Sequence, residues 1–144
     1  MPLADNVQAL AEITEPDSAP PAKGLRVLCI DNEDSILVGM DSLLSRWGMQ
    51  VWTARNQLEC EHLLDEGVCP QLVLVDYHLD EGETGTGLMS WLRQRLGDQL
   101  SGVVISADAR PELIAQVQAA GLDYLAKPVK PAALRALLNR YPAD

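Results

Sequence analysis

The 144-residue chain is long enough for one domain with a sizeable core, and its 47% hydrophobic content places it among globular rather than disordered chains. The net charge of -10 argues against nucleic-acid or anionic-membrane binding by this domain, and it suits a cation or a basic partner. No apolar run has the length of a membrane span, and Met1 to Asp5 lacks the basic flank and apolar core of a signal peptide, so a cytoplasmic location is expected. Residues 1–23 are expected to be a linker or disordered N-terminal segment, because Glu15 to Gly24 is proline-rich, polar and without period. The domain proper is then residues 24–144.

Within it the pattern alternates. Leu25 to Ile30 reads as a strand. Asp34 is expected to cap a helix to Trp47, with Ile36, Met40, Leu43, Leu44 and Trp47 on its apolar face and Gly48 closing it. Gln50 to Ala54 is a second strand, and Asn56 with Glu59 resembles a capping box for a helix ending before Gly67. Leu72-Val73-Leu74-Val75-Asp76 is the third strand: four apolar residues, half of them β-branched, as in a strand buried on both faces. A helix is expected from about Gly87 to Leu96, and a fourth strand from Gly102 to Ser106. Pro111 starts a helix that Gly121 ends, Leu122 to Ala126 is a fifth strand, and Pro131 starts a last helix to about Tyr141. Strands alternating with helices in this way predict a doubly wound α/β sandwich around a parallel sheet. Cys29, Cys60 and Cys69 are an odd count without metal spacing, and Cys29 is expected to be a buried small hydrophobe.

In a parallel sheet all carboxyl ends share one edge, where such folds bind ligands. That edge should gather Asp31-Asn32-Glu33-Asp34, Asp76, Ser106 and Lys127. Each has a plainer explanation taken alone. Asp76 would cap a turn, Ser106 would be an ordinary strand-end hydroxyl, and Lys127 a surface lysine, although Pro128 pushes its backbone toward the extended form a strand end requires. His62 reads as solvated, and the tryptophans as core or interface residues.

Taken together, four stretches resemble the CheY-like receiver domains of two-component response regulators: Val27-Leu28-Cys29-Ile30-Asp31-Asn32-Glu33, Leu74-Val75-Asp76-Tyr77-His78-Leu79, Val104-Ile105-Ser106-Ala107 and Tyr124-Leu125-Ala126-Lys127-Pro128. The resemblance covers about residues 25–141. It implies a flavodoxin-like (βα)5 sandwich whose parallel sheet has the strand order 2-1-3-4-5. It implies that Asp76 accepts a phosphoryl group from a phosphohistidine on a histidine kinase or histidine phosphotransfer domain. Mg²⁺ would be held by the carboxylates of Asp31 and Asp76 and the backbone carbonyl of His78, and the His78 side chain would take no acid–base role. Lys127 would pair with the acyl phosphate and Ser106 would hydrogen-bond it. Ser106 and Tyr124 would form the switch, read out on the face from about Pro111 to Tyr141, which also offers a weak dimer contact. The Lys127–Pro128 bond would be cis. Such a domain is a phosphoacceptor that assists its own phosphorylation and dephosphorylation rather than an enzyme.

Three departures stand out. Asn32 replaces a second acid, so it is expected to bind the metal weakly or indirectly. Asp80 replaces a proline common in the loop after Asp76. The loop from Glu81 to Gly87 is glycine-rich and carries further acid. On the first helix, Leu37 lies about 100° around from Ile36 and is expected to be an exposed partner contact. The N-terminal linker suggests the C-terminal receiver of a hybrid histidine kinase, with a stand-alone receiver as the alternative. Asn32 also permits a phosphorylation-independent protein-binding pseudo-receiver, against which Asp76, Ser106 and Lys127 argue. A small-molecule enzyme on this fold is disfavoured, since no glycine-rich phosphate loop follows the first strand.

Overall fold

A computed structural model describes residues 24–141. The linker expected over residues 1–23 lies outside the described residues. The strands are β1 (Arg26–Ile30), β2 (Gln50–Ala54), β3 (Leu72–Asp76), β4 (Ser101–Ser106) and β5 (Asp123–Ala126). The helices are α1 (Asp34–Arg46), α2 (Gln57–Asp65), α3 (Gly85–Leu96), α4 (Pro111–Ala119) and α5 (Pro131–Leu138), with a short 3-10 turn at Asp80–Gly82. All strand pairs are parallel, in the order β2-β1-β3-β4-β5. The expected order therefore holds.

Side chains alternate across a strand, and here the alternation divides the core in two. Val27, Cys29, Leu72, Leu74, Val103 and Ile105 point to one face, packed against Leu37, Met40 and Leu44 of α1 and Leu134 and Leu138 of α5. Leu28, Ile30, Val73, Val75 and Val104 point to the other, against Cys60 of α2, Leu88 and Leu92 of α3 and Val117 of α4. Every residue of β3 is buried, as a central strand covered on both faces requires. Cys29 is buried as expected, and desolvation first, then Asp41 and Asp31, pushes its thiol up to about 12, so it is inert packing.

Local boundaries follow the capping chemistry. Asn56 accepts the Glu59 N–H, but the Glu59 side chain reaches back to Arg55 rather than to Asn56, so only half of the expected capping box forms. Asp34 is not the cap of α1: Glu33 holds that position, and Asp34 lies in the first helical turn, 3.7 Å from Arg55. α3 begins at Gly85, two residues before the expected start, because the Thr84 hydroxyl accepts the Gly87 N–H as its N-cap. Among the described residues, no helix is long and apolar enough to cross a membrane.

Candidate functional site

Sheet register assembles the site. Ile30 lies beside Val75, Asp76 beside Ile105, and Ser106 beside Ala126. Asp31 is therefore one step past β1 and level with Asp76, and Lys127 is one step past β5. The three buried polar residues of the described chain are these strand-end groups: Asp31 is 5% exposed, Asp76 6% and Ser106 1%. The Lys127 Nζ lies 2.9 Å from an Asp76 oxygen and 3.6 Å from an Asp31 oxygen. One ammonium thus serves two carboxylates in a shielded setting.

The electrostatics are unbalanced as a result. Burial pushes the Asp76 carboxyl above its ordinary range; the hydrogen bond to Lys127 opposes this, and the Asp31 charge adds to it. Burial would depress Lys127, but its hydrogen bond to Asp76 and the charges of Asp76, Asp31 and Glu33 outweigh that and hold it raised. An isolated ion pair would lower its acid. Asp76 moves the other way because burial outweighs the Lys127 contact, and the neighbouring Asp31 carboxylate adds to the rise.

The remaining groups are held by the loops. Asp31 also accepts the Glu33 N–H at 2.9 Å, which fixes its carboxylate. His78 is exposed; its backbone bridges to Thr84, and its ring meets Tyr77 edge-on at 4.8 Å. Gly85 sits directly against the backbone of Asp76. A Cβ there would lie 2.7 Å from the Asp76 carbonyl oxygen, so only glycine lets α3 approach the end of β3 this closely. The Lys127–Pro128 bond is cis, as the resemblance implied.

The set is suited to a hard divalent cation. Two buried carboxylates with one shared counter-charge leave a net negative pocket of oxygen donors. Among the described residues, no three His, Cys, Asp or Glu side chains gather as a ready-made cage. The donor set is two carboxylates, with backbone carbonyl and water to complete it, which matches a cation that keeps much of its hydration.

Two further residues singled out in the sequence make side-chain contacts of their own. Asn32 donates its side-chain amide to Asp80 at 2.9 Å, so the two departures from the family pattern are partners. Tyr124 contacts the loop that follows Ser106. Its hydroxyl already donates to the backbone carbonyls of Ser106 at 3.1 Å and Asp108 at 2.8 Å, while the Asp108 N–H donates to the Ser106 hydroxyl oxygen at 2.9 Å. Asp108 is a residue the sequence reading missed. Its carboxylate, held below its usual range by the Arg110 hydrogen bonds, ties this loop to the start of α4.

Leu37 is not the exposed contact it was expected to be. It is 6% exposed and packs in the α1–α5 layer, whereas Ile36 is 37% exposed. The helix docks with Leu37, Met40, Leu44 and Trp47 inward: Met40, Leu44 and Trp47 lie on the face expected, and Leu37 takes the buried place expected of Ile36. Ile36 instead lines an apolar groove of about 680 Å³ with Met40, Leu43, Pro128 and Val129, beside Asp31 and Lys127.

Comparisons with known proteins agree with this geometry. The family model for the response regulator receiver domain matches residues 27–139. A response regulator receiver protein from Pseudomonas putida superposes with a TM-score of 0.72 at 27% identity, covering 83% of this chain and 98% of its own. A CheY-like receiver domain protein from Methanospirillum hungatei JF-1 gives 0.71 at 24% identity, covering 82% and 93%. A chemotaxis response regulator of Vibrio cholerae gives 0.71 at 22% identity, covering 82% and 98%, a likeness of fold. Comparison with curated proteins finds no match. With a family match over most of its length, the shared fold and the acidic pocket at the strand ends, this chain belongs to the response regulator receiver domain family.

Proposed function

We propose that the domain is a phosphoacceptor of a two-component phosphorelay, with Asp76 taking the phosphoryl group from a phosphohistidine of a histidine kinase or histidine phosphotransfer domain. The observation that carries this reading is the buried Asp76 carboxylate, 2.9 Å from Lys127 and beside Asp31. An Asp76 oxygen attacks phosphorus, the P–N bond breaks, and its electron pair returns to the partner's imidazole. Water later attacks the acyl phosphate, releasing inorganic phosphate and restoring the carboxylate.

Phosphoryl transfer depends on positioning and charge neutralisation more than on covalent assistance. Mg²⁺, held by Asp31, Asp76 and the His78 carbonyl, would neutralise charge on the phosphoryl oxygens and let an anionic nucleophile meet an anionic donor. Lys127 supplies a second positive charge that moves from the carboxylate to the acyl phosphate. Ser106 offers its hydroxyl to a phosphoryl oxygen. The domain acts on itself rather than turning over a separate substrate.

The partner would dock on the groove beside the site, with Ile36 rather than Leu37 as its apolar contact. The modified state would be read on the face formed by α4, β5 and α5, which would also carry any weak dimer contact. With its acidic charge, the domain would bind neither DNA nor membrane itself. The test is acetyl phosphate with Mg²⁺, followed by intact mass. The wild type should gain one phosphoryl group and Asp76→Asn none. No gain in the wild type would point instead to a phosphorylation-independent binding module.

A further inference from the structure

A side-chain pair ties the loop after β3 across the mouth of the site. Asn32, just past β1, donates to the Asp80 carboxylate at 2.9 Å, across a sequence separation of 48. Asp80 opens a tight turn in which the Glu83 N–H donates to the Asp80 carbonyl and the Leu79 N–H to the Glu83 carbonyl, both at 3.1 Å. Glu81 within that turn has φ +60°, a left-handed conformation that a side-chain-bearing residue adopts only when its surroundings hold it there. The same loop carries His78, and its far end is pinned by the Gly85 N–H on the Tyr77 carbonyl at 2.8 Å.

We propose that Asn32 is a positioning residue that latches this loop closed over the site through Asp80, so that loop order does not depend on a bound cation. Charge decides the point. An acid at position 32 would face the Asp80 carboxylate as a like charge at hydrogen-bond distance, and the loop would close only with a cation between them. The amide turns that repulsion into a hydrogen bond from a neutral donor to an anion, a strong kind that no metal need complete. The two departures from the family pattern thus compensate one another. The consequence for the reaction rests on the phosphoacceptor reading: the His78 carbonyl is held in place before metal or donor arrives.

The test is amide hydrogen exchange of Leu79, Glu83 and Gly85, with β3 amides as the internal reference for global stability. Wild type, Asn32→Asp and the double variant N32D/D80N are compared in chelator and in Mg²⁺. Wild-type protection should be the same in both buffers. Asn32→Asp should lose about fivefold protection in chelator, the scale of one hydrogen bond, and regain it with Mg²⁺. The double variant reverses donor and acceptor and should be protected in chelator again, a rescue that mere loss of a surface contact would not give. Equal protection of Asn32→Asp and wild type in chelator, or failure of the double variant to recover, overturns the latch. Acetyl phosphate labelling of the same wild-type sample keeps the two readings apart: absence of labelling removes the phosphoacceptor role and leaves the exchange result to stand.

Discussion

At the amino ends of the strands, polar groups are used to fasten. The Arg26 N–H donates to the Gln71 side chain at 3.0 Å, its guanidinium to the Cys69 carbonyl at 2.8 Å, and the Gln71 N–H back to the Arg26 carbonyl at 2.8 Å. Arg93 of α3 donates to the carbonyls of Leu100, Ala120 and Gly121, so one cation joins the start of β4 to the carboxyl end of α4. At the carboxyl ends the order is reversed: two carboxylates are buried around one ammonium, and a buried charge without its own partner costs stability. The contrast teaches where this fold accepts a cost. One end is satisfied for its own sake, while the other is left with an excess of negative charge that only a cation or a reacting group completes.

Substitutions can break or sharpen this contrast. The largest effect is expected at Gly85, where the functional end is sterically tight. Gly85→Ala forces α3 away from the Asp76 carbonyl and should lower stability by about 3 kcal/mol in denaturant unfolding, with phosphorylation of Asp76 impaired as well. At the fastening end, Arg93→Met strips three carbonyls of a charged donor and should lose about 2 kcal/mol, leaving acetyl phosphate labelling intact.

Asp76→Asn should do the opposite and gain stability, by about 1 kcal/mol in chelator at neutral pH, because Lys127 then serves Asp31 alone. The sign follows from the raised Asp76 carboxyl. A group whose folded-state pKa lies above its unfolded one stabilises when protonated and loses that contribution as pH rises through the folded value. The advantage of the variant should therefore be full at neutral pH and vanish as pH falls below about 4. Thermal melts across this range check it. A destabilised Asp76→Asn would mean that the carboxyl end is fastened like the amino end.

The smallest effect on stability and the sharpest on signalling is expected for Ser106→Ala. Asp76 should still be modified, but α4, β5 and α5 should no longer respond. Amide shifts with and without beryllofluoride would show it, and the same perturbation beyond residue 110 in wild type and variant would contradict it.

Strand ends were legible in the sequence because burial on both faces demands an apolar run, and an acid or lysine closing such a run has one place to go. Asp31, Asp76, Ser106 and Lys127 all lie where that reasoning puts them. The phase of α1 was not legible. Ile36, Leu37 and Val38 are consecutive apolar residues, and either Ile36 or Leu37 completes a helical stripe with Met40, Leu44 and Trp47. Only docking against the sheet and α5 chooses between them. The Asn32–Asp80 pair was read as two unrelated departures, since nothing local joins residues so far apart in sequence. Asp108 was not legible because its links to Ser106 and Tyr124 run through a backbone N–H and carbonyl, which leave no mark on residue type.

The central claim is that one carboxylate, at the end of the central strand, accepts the phosphoryl group. Hydride reduction after acetyl phosphate treatment converts an aspartyl phosphate to homoserine, and peptide mass spectrometry then reads its position. Homoserine at position 76 and nowhere else is the expected result. Homoserine at position 31 or 80, or at no position while the protein is folded and supplied with Mg²⁺, would contradict it.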